Sequence, residues 1–317
     1  MSHGAFRVIP LLLGLFFVVG CRHSQPPTIT VIPPTGGLEY WDRFDHEVRA
    51  NANQAGLRIE LAAPQSVTDY TEQAQMVENA ISRHVQGIIV SPAHQLVLSS
   101  VLQKAVHAHI QVVVVGSPIT LPEKDCAAFI GWDRAEAGRL AARRLIALLG
   151  GKGEVGVVGV SPTVEESSLI EKAFADEIAR APGVKLVSVK YGLSDWARGR
   201  QAVLDLVTEH PAIKGIFTTD EFSTHAAAYA FDHRTSRPFL IGISDESKEI
   251  DGLREGRTDA LIVSNPKELG IRAMQAMRAA LAGSDASAYS MQLSVTIVDK
   301  QNLTTDPTAV MIVDNPV

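Results

Sequence analysis

The sequence predicts an α/β protein built as two lobes, each a parallel sheet covered by helices. Short runs rich in Val, Ile and Leu recur between longer segments of helical spacing, a pattern typical of parallel strands covered on both faces. The pattern breaks because strands predicted at Gln111–Val115 and Ala127–Trp132 follow one another with no full helix between them. The 317 residues suffice for about two domains. We therefore interpret Trp132 and Asp133 as a hinge, and the space around them as a ligand cleft.

The first twenty residues are predicted to be a signal peptide. Arg7 supplies positive charge, and the apolar run Val8–Val19 is shorter than the roughly 20 residues that a bilayer span requires. The run ends in Val18-Val19-Gly20-Cys21, which resembles a bacterial lipoprotein box. The resemblance implies that Cys21 is lipidated and becomes the mature N-terminus, with 21–27 as a flexible tether. A plain secretory signal with an incidental cysteine is the alternative.

After the tether, four predicted strands alternate with three predicted helices. The first helix stops before Gly56, a residue typical of helix ends, and each helix is long enough to cross back over a sheet. The strands are Thr28–Pro33, Leu57–Ala63, Gly87–Val90 and Gln111–Val115, and the helices are Leu38–Ala55, Asp69–Arg83 and Gln95–His107.

The alternation restarts after Asp133, and Asn265-Pro266 then breaks the chain before a strongly helical segment. Two sheets with crossings between them imply lobes built from discontinuous segments. We assign 28–132 with 265–291 to the first lobe, and 133–264 with 292–317 to the second. The predicted helices are Ala135–Leu149, Glu165–Arg180, Asp195–Glu209, Glu221–Asp232, Lys248–Glu255 and Lys267–Ala282, and the strands are Glu154–Val160, Lys185–Lys190, Gly215–Thr218, Phe239–Ile243, Ala260–Val263, Gln292–Val298 and Ala309–Val313.

The three tryptophans of the chain lie where a predicted strand gives way to a helix. They are Trp41, Trp132 and Trp196, and Tyr40 and Phe222 occupy similar positions. Ligands of parallel sheets bind at the carboxyl ends of strands, beside helix N-termini. Core packing is the ordinary explanation for a lone tryptophan, but three at the same kind of junction favour a binding surface.

Segments spread from about Thr28 to Asp299 carry a family resemblance through their order and spacing. They are Tyr40-Trp41, Gln54–Leu57, Gly87–Pro92, Trp132–Gly138, His210–Phe217, Leu240–Ile243, Asn265–Gly270 and Val298–Asn302. Together they resemble the periplasmic sugar-binding proteins of the ribose-binding type, the solute receptors of ABC importers. The resemblance implies the two-lobed periplasmic-binding-protein fold with three hinge crossings. It also implies capture of a small molecule by lobe closure and recognition by a transporter permease, with no catalysis, cofactor or metal.

The resemblance also implies which residues bind the ligand. Tyr40 and Trp41 correspond to two aromatics that sandwich the sugar ring, and Trp196 corresponds to a third. The polar positions depart from the family, since Gly116-Ser117 replaces an Asp-Arg pair and Ser168 replaces an arginine that grips the ligand. Asp220, Ser244 and Ser264 stand where the family has Asn, Asp and Gln. The candidate ligand-binding residues are therefore Tyr40, Trp41, Ser117, Trp132, Asp133, Ser168, Trp196, Asp220, Ser244, Asp245 and Ser264.

The chain retains the family's aromatic positions but lacks its Asp-Arg pair and its ligand-gripping arginine, a charged clamp. Three interpretations of the ligand follow. The first is a carbohydrate or polyol held by new polar partners such as Asp133, Asp220, Asp245 or Asn265. The second is a cationic or amine ligand, since an aromatic box with acids suits a positive charge. The third is a sensor subunit for a membrane signalling protein, or another partner-binding role without transport.

Other functional classes lack their sequence signals. The net charge of −6 and the absence of a basic patch argue against nucleic acid as a partner. Gly150–Gly153 lacks the spacing of a phosphate-binding loop, and His107 and His109 lie on different faces of a helix end. No carboxylate pair occupies a catalytic motif, so we expect no enzyme. We expect a protein of the periplasm or cell-envelope surface, held to the membrane by its lipid.

Overall fold

Two six-stranded sheets organise the chain in the computed structural model, which describes Met1 and residues 26–121, 125–162, 164–231 and 237–305. The signal peptide, Cys21 and the predicted strand Ala309–Val313 lie outside the described residues. The strands are β1 Thr28–Ile32, β2 Arg58–Leu61, β3 Gly87–Val90, β4 Gln111–Val115, β5 Ala128–Trp132, β6 Gly153–Gly159, β7 Val184–Tyr191, β8 Ile213–Thr218, β9 Phe239–Ile243, β10 Ala260–Val263, β11 Met291–Leu293 and β12 Thr296–Val298.

Helices connect these strands and cover both faces of each sheet. None of the helices in this part of the chain is long and apolar enough to cross a membrane. They are α1 Glu39–Gln54, α2 Tyr70–Ser82, α3 Gln95–His107, α4 Arg134–Leu148, α5 Glu165–Ile178, α6 Trp196–Glu209, α7 Glu221–Ala230, α8 Ser247–Glu255 and α9 Pro266–Leu281, followed by a 3-10 turn at Ala286–Tyr289.

The first sheet has the order β2-β1-β3-β4-β5-β11, and all its pairings are parallel. Its centre is buried on both faces, with Ile89, Val113 and Val115 under α1 and α9, and Ile88 and Val114 under α2 and α3. Because neither face meets water, these strands are apolar at their buried positions. The predicted two-lobed α/β class is confirmed.

The second sheet has the order β7-β6-β8-β9-β10-β12, parallel except where β12 runs against β10. Helices α4 and α5 cover one face around Phe174 and Phe217, whose rings stack with centroids 5.0 Å apart. The other face lies under α6 and α7, with Val203, Leu206 and Leu240 buried. Each sheet therefore has its own core, and the strand ends of both are free to form a site.

The chain passes between the sheets three times, as predicted. The first crossing follows β5, where Asp133 caps α4 by accepting a bond from the Glu136 N–H at 2.8 Å. The second follows β10, where Asn265 caps α9 through the Glu268 N–H at 2.9 Å. The third joins β11 to β12. These crossings bring the carboxyl ends of both sheets to the same region.

The third crossing differs from the sequence prediction. We predicted one strand over Gln292–Val298 and placed Gln292 and Leu293 in the second lobe. Leu293 instead pairs with Trp132 in the first sheet, and Thr296 pairs with Val263 in the second. Polar and apolar residues alternate without a break from Gln292 to Ile297, and each strand is buried at one of its three positions, so the sequence does not mark the crossing between them.

Candidate functional site

A cavity of about 210 Å³ lies where the carboxyl ends of the two sheets meet. The first sheet and its helices contribute loops after β1, β3, β4 and β5, and the second contributes loops after β8, β9 and β10. The lining residues are Pro34, Leu38, Tyr40, Trp41, Ser91, Gly116, Ser117, Trp132, Arg134, Glu221, Ile243, Ser244, Asp245, Glu246 and Ser264. Contacts from both sheets therefore converge on one space.

Aromatic rings form one wall of the cavity. Tyr40 and Trp41 lie in the first turn of α1, with ring centroids 4.9 Å apart and planes at 82°. Trp41 packs edge-to-face in turn on Phe44, at 5.5 Å, and Phe44 is buried in the first core. A core residue one turn along the helix therefore fixes the orientation of the Trp41 ring.

Arg134 lies in the cavity lining, although we expected no arginine there. Its guanidinium stacks over the Trp132 ring, 4.4 Å from the centroid, and its Nη2 donates to the Gly116 carbonyl at 3.0 Å. Arg134 begins α4 directly after the first crossing, so its side chain reaches back to the first sheet. Gly116-Ser117 and Ser168 still replace the family's charged pair and arginine, and Arg134 supplies a charged group from a different position, next to the predicted hinge.

Gly116 forms part of the cavity floor in a left-handed conformation, with φ +69°. A Cβ here would lie 2.9 Å from Ser91 Oγ and 3.5 Å from the Trp41 ring. Both the backbone angle and the close approach of Ser91 therefore favour glycine.

Asp245 forms a hydrogen-bonded group with Ser264 and Tyr40. Its carboxylate accepts bonds from the Ser264 N–H and the Ser264 hydroxyl, both at 3.0 Å. Burial raises the pKa of Asp245 to about 7 against the opposing effect of these bonds. Burial and the nearby Asp245 charge raise the pKa of the Tyr40 phenol, whose hydroxyl bonds to Ser264. This group presents a fixed set of polar atoms to the cavity.

Glu221 and Glu246 add two further carboxylates to the same wall. Burial raises the pKa of Glu221 to about 7, and the neighbouring Asp220 adds to this shift. Burial also raises the pKa of Glu246, whose Oε1 accepts a long bond of 3.4 Å from the Tyr40 N–H. The second sheet therefore faces the aromatic wall with acidic groups.

The two lobes touch beside the cavity through Glu39, Arg43 and Ser247, which we name the latch. Arg43 is 3% exposed, and it donates to the Asp245 carbonyl and to Glu39, both at 2.7 Å. The Ser247 hydroxyl donates to the same Glu39 oxygen at 2.6 Å. Burial opposes ionisation of Glu39, but the Ser247 bonds and Arg43 outweigh it and lower its pKa. Helix α1 is thereby bonded to the start of α8.

Comparison with known proteins identifies the family. Residues 29–285 match the sequence profile described as periplasmic binding protein domain. The chain belongs to this family. Among curated relatives, the "D-ribose/D-allose-binding protein" of Pseudomonas aeruginosa is 25% identical over 209 residues, which is 64% of this chain and 65% of that protein. The match therefore spans less than two thirds of that relative. The "Ribose import binding protein RbsB" of Bacillus subtilis is 20% identical over 84% of this chain and 90% of its own.

Solved structures of periplasmic binding proteins share the fold. An ABC transporter solute-binding protein from Burkholderia graminis, in complex with D-arabinose, has a TM-score of 0.81 at 25% identity, covering 89% of this chain and 99% of its own. A carbohydrate transporter solute-binding protein from Agrobacterium radiobacter, also with D-arabinose, has a TM-score of 0.83 at 22% identity, covering 91% and 99%.

Most of the predicted site residues of this periplasmic binding protein come together. Those in the cavity lining are Tyr40, Trp41, Ser117, Trp132, Ser244, Asp245 and Ser264. Among the lining residues that the sequence analysis missed, the charged ones are Arg134, Glu221 and Glu246. Each directly follows a predicted site residue, namely Asp133, Asp220 or Asp245, so the position next to a predicted residue was the available signal.

Four predicted residues lie outside this lining. Asp133 and Asp220 cap α4 and α7, accepting bonds from backbone N–H groups at 2.8 and 2.9 Å. The Ser168 hydroxyl donates to the Pro162 carbonyl at 3.4 Å, and Trp196 is 44% exposed. Helix capping explains both aspartates without a ligand. Their binding roles, like those of the lining residues, stay predictions.

Proposed function

We propose that this protein is the substrate-binding component of an ABC transporter, and that it captures a carbohydrate or polyol between its lobes. The observation that carries the proposal is the cavity between the sheets, with flat aromatic faces on one side and carboxylates on the other. The names of the relatives, which bind ribose, allose or arabinose, support the same ligand class.

The lining has the chemistry that a sugar ring requires. Tyr40 and Trp41 offer flat apolar surfaces, and ring contacts of this kind contribute about 0.5–1.5 kcal/mol beyond area burial. Asp245, Glu246 and Arg134 offer charged partners for hydroxyl groups, each bond contributing about 1.5–3 kcal/mol. A ring held by its face and its rim is selected by shape as well as by polarity.

Capture follows from the distribution of these groups between the lobes. Trp41 comes from α1 on the first sheet, whereas Asp245 follows β9 of the second. A ligand makes all its contacts only when the lobes are closed, so binding shifts the population toward the closed form. We propose that a transporter permease recognises that closed form.

Titration of the purified protein with pentoses, hexoses and polyols tests the proposal. A true ligand should change tryptophan emission, since Trp41 and Trp132 line the cavity. It should also raise the melting temperature, because a ligand at 100 times its Kd stabilises the folded state by about 2.7 kcal/mol. A folded protein that responds to none of these compounds would contradict the proposal.

We further propose that the protein is lipid-anchored through Cys21 and lies in the periplasm or on the cell-envelope surface. The sequence Val18-Val19-Gly20-Cys21 at the end of an apolar run supports the anchor. Expression of Cys21→Ser in a bacterial host should move the protein from the membrane fraction to the soluble fraction. Retention of this variant in the membrane would count against a lipid at Cys21.

A further inference from the structure

The charges of the cavity lining are unbalanced. Glu221, Asp245 and Glu246 stand against Arg134, the cation in the lining. Arg43 lies against Asp245 and Lys248 acts on Glu246, and each opposes the rise in the pKa of its neighbour. The charges that act on the pKa of Glu221 are those of Asp220, Asp245 and Glu246, all acidic. A neutral sugar would therefore leave the charge of Glu221 uncompensated, and an unpaired buried charge is costly. In the described residues no group of three or more acidic, histidine or cysteine side chains is arranged to hold a metal ion. A cationic group on the ligand would balance the excess.

The three carboxylates differ in the partners they already have. Both oxygens of Asp245 accept bonds from Ser264, and Glu246 accepts a bond from the Tyr40 N–H. For Glu221, the contacts within the described residues give its own backbone N–H as the hydrogen-bond donor and no side-chain partner. Glu221 is thus the carboxylate of the wall that is most open to a donor from the ligand.

The surroundings of Glu221 favour a positive charge in front of it. Asp220 adjoins it at the start of α7, and one oxygen of that carboxylate is buried with no partner among the described residues. The β9–α8 loop contributes Asp245 and Glu246, and their charges, with burial and Asp220, raise the pKa of Glu221. Arg134, the cation in the lining, lies at the start of α4 with its guanidinium over Trp132.

We propose that the ligand is a sugar or cyclitol ring bearing a protonated amino group, and that the Glu221 carboxylate receives that group. This inference rests on the proposed function, since the ring itself packs on Tyr40 and Trp41. An ammonium donates up to three hydrogen bonds and neutralises one carboxylate, which a hydroxyl does not. A cation beside the open aromatic faces gains further attraction.

Matched ligands test the charge directly by calorimetry on the purified protein. The probes are D-glucosamine, N-acetyl-D-glucosamine and D-glucose, together with the galactose series and an amino-inositol against myo-inositol. The amino member of at least one series should bind about tenfold tighter or more than its neutral counterparts at pH 7. Its affinity should fall below pH 7, as Glu221 becomes protonated in the free protein.

A pair of variants assigns the effect to Glu221. Glu221→Gln keeps the shape and removes the charge, so it should reduce the preference for the amino member to about threefold or less. Glu209→Gln makes the same change in an exposed pair with Lys190 and should leave the preference as it is. Melting curves establish that both variants are folded.

Two outcomes overturn the inference in distinguishable ways. If a neutral ring binds as tightly as its amino counterpart, the amine assignment is wrong while carbohydrate capture stands. If neither type of ring binds the folded protein, carbohydrate capture fails as well. A preference that survives Glu221→Gln would place the amino group elsewhere and overturn the role of Glu221.

Discussion

At the scale of single residues, the site depends on how each side chain is held. Trp41 packs against Phe44 and lines the cavity, whereas Trp196 is exposed at the start of α6. The family resemblance gives both a ligand contact, and their surroundings separate them. Asp245 is also held by a neighbour, in its case through hydrogen bonds from Ser264. Substitutions of these residues therefore show which of the predicted positions contact the ligand.

We expect Trp41→Ala to weaken carbohydrate binding by about tenfold or more, because both ring stacking and apolar burial are lost. Trp196→Ala, which removes the same side chain outside the lining, should have a smaller effect. Calorimetry with whichever sugar the panel identifies measures both. Equal losses would mean that the lobes close further on the ligand and bring Trp196 into the site.

Asp245→Asn should stabilise the unliganded protein more at pH 8 than at pH 4. The pKa of Asp245 is raised from 3.8 to about 7 in the folded state. The stability linked to this group is therefore present below about pH 4 and is lost as the pH rises through about 7. Asparagine removes that loss while it can still accept a bond from the Ser264 N–H.

Thermal unfolding of wild type and variant across this pH range measures the difference. Asp285→Asn is the control of opposite sign, because bonds from Ser287 lower the pKa of Asp285. The stability linked to Asp285 is lost as the pH falls. Asp285→Asn should therefore be destabilised most, relative to wild type, near neutral pH. The same pH trend in both variants would contradict the assignment for Asp245.

At the scale of elements, helices are placed by how closely they can approach one another. Helices α4 and α5 cover one face of the second sheet, and Gly138 of α4 lies against the backbone of α5. A Cβ at Gly138 would lie 2.2 Å from the Ile170 carbonyl oxygen and 2.9 Å from the Phe174 nitrogen. Because α4 also begins with Arg134, this packing sets where that guanidinium enters the cavity.

Gly138→Ala should destabilise the protein by about 1–3 kcal/mol or more, because the added methyl group forces the two helices apart. The matched control is Gly252→Ala in α8, where the nearest atom to an added Cβ is 3.6 Å away. There alanine should stabilise by up to about 1 kcal/mol through its higher helix propensity. Urea unfolding measures the free energy of unfolding of both variants. If Gly138→Ala is no less stable than Gly252→Ala, α4 and α5 can separate freely to accommodate the methyl group.

At the scale of the whole molecule, the latch couples the positions of the lobes. Glu39 and Arg43 belong to α1 on the first sheet, and Ser247 starts α8 beside the second. The bonds among them lie next to Asp245, whose carbonyl accepts from Arg43. Opening of the cleft must break the bonds from Ser247 to Glu39 and from Arg43 to Asp245, so their strength affects the resting population of closed molecules.

Ser247→Ala should shift the unliganded protein toward open forms by about tenfold, since it removes a hydrogen bond to a charged group. Small-angle X-ray scattering should record a larger radius of gyration. The control is Ser287→Ala, which removes an equally short serine-to-carboxylate bond of 2.6 Å within one segment. If both variants scatter like wild type, the latch does not hold the lobes together.

The order of strands and helices could be predicted from the sequence because each is governed by local physics. Parallel strands buried on both faces must be apolar throughout, and helices need turn and cap residues at their ends. Asp133 and Asn265 mark two of the crossings for this reason. The aromatic wall was predictable too, since Tyr40 and Trp41 lie in the first turn of a helix that must pack on the sheet.

The tertiary structure alone decided the charged part of the cavity and the third crossing. Arg134, Glu221 and Glu246 look like ordinary first-turn or loop residues, and they become neighbours only when strand ends of two sheets converge. The split of β11 from β12 leaves no mark in the sequence, because the alternation of polar and apolar residues continues across it. Periodicity reports which face of an element is buried, whereas it carries no information on which distant residues share a cavity.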